Sequence, residues 1–270
     1  MEDENSIMKA DYKNWMPQGM INSFAAAAVV CWVLFWIINN FNLLTIQPTK
    51  SIVSVALLVL WILLLLMTVW MFLMHRAFSY DGKRQMSKQI IEGISAYVNV
   101  PDGGKCLDVG CGSGALTIAC AKKNPNAEFV GIDRWGKEYA SFSKNLCENN
   151  AKAEGVSNVS FGQGDATKLS FVDETFDAVT SNYVYHNIPS KDRQAILLET
   201  LRTLKKGGTF AIHDIMSKGK YGDMEAFVKQ LKDMGYEEVK LIDTTNGMFM
   251  TKFESIWMGL SGSAILVGRK

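Results

Sequence analysis

The 270-residue chain predicts a doubly wound α/β domain behind two membrane-spanning helices. Three observations carry that prediction. Brief apolar runs alternate with helical patterns from residue 105 to residue 234, the order that builds a mostly parallel sheet with helices on both faces. A glycine-rich turn, "DVGCGSGA" at 108–115, joins the first run to the first helical pattern. Upstream, residues 52–74 contain no charge at all.

The elements follow in order. Residues 52–74 are dominated by Leu, Val, Ile, Trp and Met, and at about 1.5 Å per residue a helix of that length crosses a hydrocarbon core of roughly 30 Å. Residues 20–38, "MINSFAAAAVVCWVLFWII", are weaker as a span because of Asn22, Ser23 and the alanines, yet no charge falls between Lys13 and Lys50. The alternative is a pair of buried core helices, but such helices normally keep a polar face. "MEDENS" is acidic where a signal peptide has a basic region, so both helices are expected in the mature protein. Lys9 and Lys13 precede the hairpin, only Lys50 lies in its connector, and Arg76, Lys83, Arg84 and Lys88 follow. That distribution predicts an integral membrane protein with both termini, and the domain that follows the hairpin, on the cytoplasmic face. The four alanines at 25–28 permit close helix approach and a homodimer, although Ala is also ordinary in membrane helices. The boundary is expected near 75–85, "HRAFSYDGKRQ", which divides a membrane anchor (1–75) from a domain over 76–270.

Within the domain, 105–110, 128–133, 159–165, 176–182 and 209–215 read as strands, each short, rich in β-branched or aromatic residues, and bounded by Gly, Asp or Asn. Helices are expected over 113–123, 136–152, 190–205 and 222–234. The runs 237–244 and 263–270 are also strand-like, with only a weak helical pattern between them, which suits antiparallel pairing at a sheet edge.

Composition excludes some functions. A formal net charge of +1 and the absence of a basic stripe with interleaved aromatics give no reason to expect a nucleic acid partner. Five cysteines without a C-x-x-C pair, and three histidines, lack metal-ligand spacing and read as reduced thiols with no metal.

The glycine-rich turn carries the chemistry. Asp108, Gly110, Gly112 and Gly114 form D-x-G-x-G-x-G where a strand meets a helix, so a ligand can lie against bare backbone at the carboxyl end of the strand. "GCGSGA" also satisfies the dinucleotide pattern G-x-G-x-x-A, so the turn alone leaves an NAD-type oxidoreductase open. Asp108 inside the strand suits a positively charged ligand better than a pyrophosphate. Asp133 and Asp165 end the second and third strands; each could instead cap a helix or a turn, but three acids at successive strand ends form a set.

These residues resemble the class I S-adenosylmethionine-dependent methyltransferases, especially the branch that methylates quinones, sterols and small molecules, over roughly 76–270. The resemblance implies a Rossmann-like seven-stranded sheet of order 3-2-1-4-5-7-6, with the last strand antiparallel, and S-adenosyl-L-methionine as cofactor. "LDVGCGSG" is similar to the first motif, with Gly110, Cys111, Gly112 and Gly114 beneath the methionine part and Asp108 holding the loop. Asp133 would take the ribose hydroxyls, with Arg134 and Trp135 next to the adenine; Asp165 and Ala166 would meet the adenine edge. "FDAVTSNYVYHNIP" resembles the fourth motif, which places Ser181 and Asn182 beside the methionine and Tyr183, Tyr185 and His186 toward the acceptor. "LRTLKKGGTFAIHD" resembles the family's L-K-P-G-G turn, with Lys206 in place of Pro and both glycines kept. Tyr80 stands where the family often sets a residue against the cofactor's carboxylate, or else is an interfacial anchor.

Methyl transfer from a sulfonium depends mainly on positioning. If the acceptor carries a proton, His186 is the first candidate base, because imidazole side chains titrate near neutrality, with His213 and Asp214 behind it. His75, beside the second span, reads as interfacial. A domain fixed at the bilayer suits an apolar or amphiphilic acceptor, a lipid or a quinone among them. "SNYV" departs from the (D/N)-P-P-(Y/F) pattern of nucleobase amino methylation. Residues 11–20 either anchor at the interface or fold over the pocket with Tyr12 or Trp15. A catalytically silent cofactor-binding scaffold is the remaining alternative.

Overall fold

The computed structural model describes residues 9–41, 44–136 and 141–270. The chain forms two compact units, one of Asn14–Ser87 and one that takes in Lys88–Lys270 together with the N-terminal residues up to Lys13.

The first unit is a helical hairpin. Unbroken apolar sequence gives helix α1 (Gln18–Asn40) and helix α2 (Thr49–Phe78), 23 and 30 residues long. Asn39 near the end of α1 accepts from the Ser54 hydroxyl near the start of α2, the Trp32 and Trp61 rings stack 4.6 Å apart, and His75 Nδ1 lies 2.7 Å from the carbonyl oxygen of Met16. Contacts in that order make the pair antiparallel. Both helices are long and apolar enough to cross a membrane, and the most apolar window of α2 buries none of its residues, opposite to a core helix of a soluble protein.

In the second unit, helix α3 (Met86–Ser95) leads into strand β1 (Lys105–Val109), α4 (Ala115–Lys123), β2 (Glu128–Asp133), α5 (Lys144–Ala153), β3 (Val159–Gln163), β4 (Phe176–Asn182), α6 (Arg193–Arg202), β5 (Leu204–Ile215), α7 (Lys218–Tyr221), α8 (Met224–Asp233), β6 (Glu237–Asp243), α9 (Lys252–Trp257) and β7 (Ser263–Arg269). Among the described residues the strands form one sheet of order β3-β2-β1-β4-β5-β7-β6, parallel from β3 to β5, with β7 antiparallel to both its neighbours. The expected order and the expected antiparallel last strand are both present. Its core contains Leu107, Val109, Val179, Leu197, Leu201 and Ile212, all fully buried between the sheet and the helices that follow it.

Some boundaries differ from the sequence reading. The helix expected over 136–152 starts only at Lys144, because Ser143 caps it by accepting from the Leu146 amide; residues 137–140 lie outside the described residues. Strand β5 starts five residues early. The "LKKGG" turn is absorbed as an irregularity in the strand, with Gly207 left-handed at φ 79° and its neighbourhood paired to Lys270 through Lys270 N donating to Gly208 O.

Candidate cofactor and acceptor site

The parallel strands place Val109, Asp133, Gln163, Asn182 and Ile215 at one edge, and the loops leaving that edge carry nearly every residue singled out above. The glycine-rich loop between β1 and α4 is the tightest of them. Gly110, Gly112 and Gly114 all adopt positive φ, 75°, 56° and 82°, which L side chains rarely tolerate. A methyl group added at Gly110 would lie 2.2 Å from Val184, so the chain after β4 packs directly on bare backbone here. At Gly112 the nearest neighbour is the Phe142 ring at 3.8 Å, and this glycine leaves room beside the main chain.

The amides of this loop are committed internally. Gly110 N and Cys111 N both donate to Ile132 O, Gly114 N donates to Cys111 O, and Gly112 N donates to Asp133 Oδ2 at 2.9 Å. Asp133 also accepts from Trp135 N at 2.8 Å, while the Trp135 indole N–H returns to Gly112 O. Asp133 and Trp135 therefore close a ring around Gly112. A pyrophosphate is recognised through free loop amides; here four such amides already have acceptors. What the loop offers instead is backbone that a ligand can approach and carboxylates that accept from hydroxyls and amines.

Asp108 lies beneath, 2% exposed, accepting from Thr117 Oγ1 at 2.6 Å and Thr180 Oγ1 at 3.0 Å. Burial outweighs these hydroxyls and raises its carboxyl to about 7. Asp108 thus ties α4 and β4 to β1 under the loop. Strand β3 ends at Gln163, two residues short of the expected end, so Asp165 is exposed in the turn that follows, with Oδ1 accepting from Thr167 N and Oγ1; these bonds hold its carboxyl below the usual range.

A second cluster stands beyond β4 and β5. A single 3₁₀ turn (Tyr185–Asn187) carries His186, whose Nδ1 lies 2.5 Å from Asp214 Oδ1. Asp214 is fully buried and also accepts from Ile215 N, His186 N and Tyr221 OH. Burial would raise the Asp214 carboxyl, but His186, Tyr221 and the Ile215 amide together hold it below its ordinary value. A carboxylate at Asp214 is an acceptor for a proton on His186 Nδ1, and Nε2 is the ring nitrogen that Asp214 does not engage. The His186 side chain is 15% exposed.

Residues 101–254 match the family model described as a methyltransferase domain, more than half of the chain. The chain belongs to the class I S-adenosylmethionine-dependent methyltransferases. Demethylmenaquinone methyltransferase of Staphylococcus carnosus is 34% identical over 137 residues, 50% of this chain and 51% of that protein. The corresponding enzyme of Bacillus subtilis is 33% identical over 152 residues, 55% of this chain and 61% of that protein. The chain therefore matches little more than half the length of these relatives. A solved geranyl diphosphate methyltransferase, in complex with its diphosphate and sinefungin, superposes with a TM-score of 0.55 at 12% identity, covering 72% of this chain and 81% of that one, a likeness of fold alone.

S-adenosylmethionine is the cofactor of this methyltransferase, and the residues fit it: left-handed glycines open at Gly112, and acceptor carboxylates at Asp133 and Asp165. Other expected residues are placed less directly. Ser181 donates its hydroxyl to Val109 O and is fully buried, and Asn182 Oδ1 faces His213 Nδ1 at 2.9 Å, so both side chains brace the strands at the site's edge. Cys111 is buried with Cys147 in a small cluster behind the loop, where burial pushes its thiol up. Arg134 is exposed and beside Asp165, whose charge it stabilises; Ala166 packs on the main core. Tyr80 belongs to the hairpin unit, where its carbonyl oxygen accepts from Gln85.

Three expectations need correction. Tyr185 is turned away from any acceptor, fully buried with its hydroxyl on Thr200. His213 has both ring nitrogens engaged, by Asn182 and Thr244, and burial lowers it to about 3, so it stays neutral and is no proton acceptor. Tyr183 sits at φ 55° with its hydroxyl on Ser263, and burial raises that hydroxyl, which suits it poorly to act as an acid or base. Sequence reasoning missed Thr117, Thr180, Tyr221 and Asn150, because a hydroxyl or amide whose partner is distant in sequence leaves no local pattern.

Proposed function

We propose that this methyltransferase acts at a membrane surface on an apolar, quinone-like acceptor, with His186 taking the acceptor's proton and Asp214 orienting His186. The observation that carries the reading is the His186–Asp214 pair, a buried carboxylate on one imidazole nitrogen with the other nitrogen available, two residues from Val184 on the glycine loop. The bound cofactor supplies an electrophilic methyl group on a sulfonium.

Each residue then has a task. Gly110 to Gly114, Asp133 and Asp165 hold the cofactor; Tyr183 and Val184 wall the space next to it; His186 Nε2 accepts a proton from a hydroxyl-bearing acceptor, and Asp214 stabilises the imidazolium that results. A quinone-like acceptor is supported by the names of the demethylmenaquinone methyltransferase relatives, whose acceptor is such a molecule. Membrane placement is supported by α1 and α2, and the cytoplasmic orientation by the excess of Lys and Arg flanking the hairpin. An NAD-type oxidoreductase is disfavoured by the match of residues 101–254 to a methyltransferase domain.

The test uses purified full-length chain in lipid nanodiscs, methyl-labelled cofactor and a membrane lipid extract with reduced quinones. Label is expected in an apolar product. His186→Ala is expected to lower turnover by at least about 100-fold, the usual worth of a positioned base, with S-adenosylhomocysteine affinity within about twofold of the parent. Asp214→Asn should act in the same direction. Label confined to water-soluble products would refute the acceptor class, and full turnover by His186→Ala would refute the base.

A further inference from the structure

Residues far upstream of the motifs reach the glycine loop. The backbone of Asp11 pairs with one side chain of α5: Asp11 N donates to Asn150 Oδ1 at 2.7 Å, and Asn150 Nδ2 donates to Asp11 O at 3.0 Å. The same Nδ2 donates to Ser113 O at 2.9 Å, and Ser113 Oγ donates to Tyr12 O at 2.9 Å. Asn150 and Ser113 are 2% and 6% exposed, so water does not compete for these bonds. The ring of Tyr12 packs on the cluster of Cys111, Cys147 and Phe161 behind the loop, against which Trp135 also packs. Asp11 turns its own carboxylate the other way, onto the amide and ammonium of Lys13.

The arrangement is a clip. Asn150 uses both of its amide protons and its oxygen to join two main-chain segments 102 positions apart in sequence, at Asp11 and Ser113, and Ser113 lies between two left-handed glycines. Gly112 is already held from the other side by Asp133 and Trp135. A loop that needs three left-handed residues in five has an unfavourable conformation to maintain, and fixing it in advance of binding raises ligand affinity by removing an ordering cost.

We infer that the N-terminal segment at Asp11 and Tyr12 is part of the cofactor site, and that Asn150 is a positioning residue that presets the glycine loop by clamping that segment to it. The inference rests on the assignment of the loop to S-adenosylmethionine. In the sequence, Lys13–Pro17 separate this clip from α1.

Asp11→Pro is the discriminating variant, since it deletes the N–H that Asn150 accepts; it also removes the carboxylate that Lys13 meets, so Asp11→Ala, which removes the carboxylate and keeps the N–H, is its control, and Asn150→Ala removes the clamp from the other side. Full-length protein in detergent micelles is titrated with S-adenosylhomocysteine by calorimetry, and unliganded thermal unfolding is followed in parallel. Asp11→Pro is expected to bind about tenfold more weakly, as loss of one buried hydrogen bond implies, with an unliganded Tm lowered by no more than about 3–6 °C and still well above the titration temperature; Asn150→Ala is expected to bind more weakly still. Equal affinity for Asp11→Pro and the parent would overturn the inference. So would a drop in unliganded Tm that accounts for the lost affinity, which would make the clip merely structural. A parent protein that fails to bind S-adenosylhomocysteine would remove the cofactor assignment itself, a distinct result.

Discussion

Replacing Asp108 by Asn should stabilise the unliganded protein at alkaline pH and leave it nearly unchanged in acid. The carboxyl is enclosed in β1 with two threonine hydroxyls as its direct partners, and its folded value is raised from 3.8 to about 7, chiefly by burial. For an acid raised in the folded state, the favourable contribution is complete below the unfolded value and disappears as pH climbs through the folded one. At pH 8 ionised Asp108 therefore opposes folding by about 3 pH units' worth, or about 4 kcal/mol at 1.36 kcal/mol per unit, and at pH 5 by only about 1.5 kcal/mol. Asn has the same shape and carries no charge. Its oxygen accepts from one threonine and its amide donates to the other, so the hydrogen bonds survive in number. The parent-to-variant gap in Tm is expected to widen between pH 5 and pH 8 by about 5–10 °C, at roughly 2–4 °C per kcal/mol for a unit of this size. Thermal unfolding of the full chain in detergent without cofactor, read by near-ultraviolet circular dichroism, measures it. The same variant should bind the cationic cofactor more weakly, a trade of function against stability. A gap that does not change with pH, or a variant less stable than the parent at pH 8, would refute the account of Asp108.

Two further perturbations probe the site's supports. His213→Gln should flatten the acid limb of the stability profile: a base lowered to about 3 from 6.5 contributes stability that is present above pH 6.5 and lost as pH falls, and circular dichroism across pH 4–7 reads the slope. Gly110→Ala combines about 1–2 kcal/mol of left-handed strain with a 2.2 Å approach to Val184, so unfolding measurements should show a loss above about 3 kcal/mol; adding Val184→Ala should recover part of it, whereas strictly additive losses would deny the contact.

How much of this was legible in the sequence depends on whether the signal is local. Strand order, the glycine turn, Asp133 at a strand end and Asp165 just beyond one could be read directly or by resemblance, because each lies within a few residues of the element it belongs to. The late start of α5 could not, since the Ser143 cap overrides a periodic pattern that runs back to residue 136. Tyr185 and His186 are adjacent in one 3₁₀ turn, and pattern alone did not say that the first faces Thr200 in the core while the second faces Asp214. Asn150 and Asp11 are 139 residues apart, and nothing in either neighbourhood announces the other.

The pairing of the glycine amides at 110, 112 and 114 bears on why one glycine pattern can serve unlike ligands. G-x-G-x-x-A specifies a tight turn of bare backbone, but it does not say whether the exposed N–H groups are free. In this chain Ile132 O accepts from two of them, and Asp133 accepts a third while keeping lone pairs for other donors. A carboxylate engaged in that way both closes the turn and remains an acceptor for a hydroxyl. Removing it should therefore impair two properties at once: Asp133→Ala frees the Gly112 amide and loosens Trp135, so cofactor affinity should fall by more than the loss of ribose contacts alone.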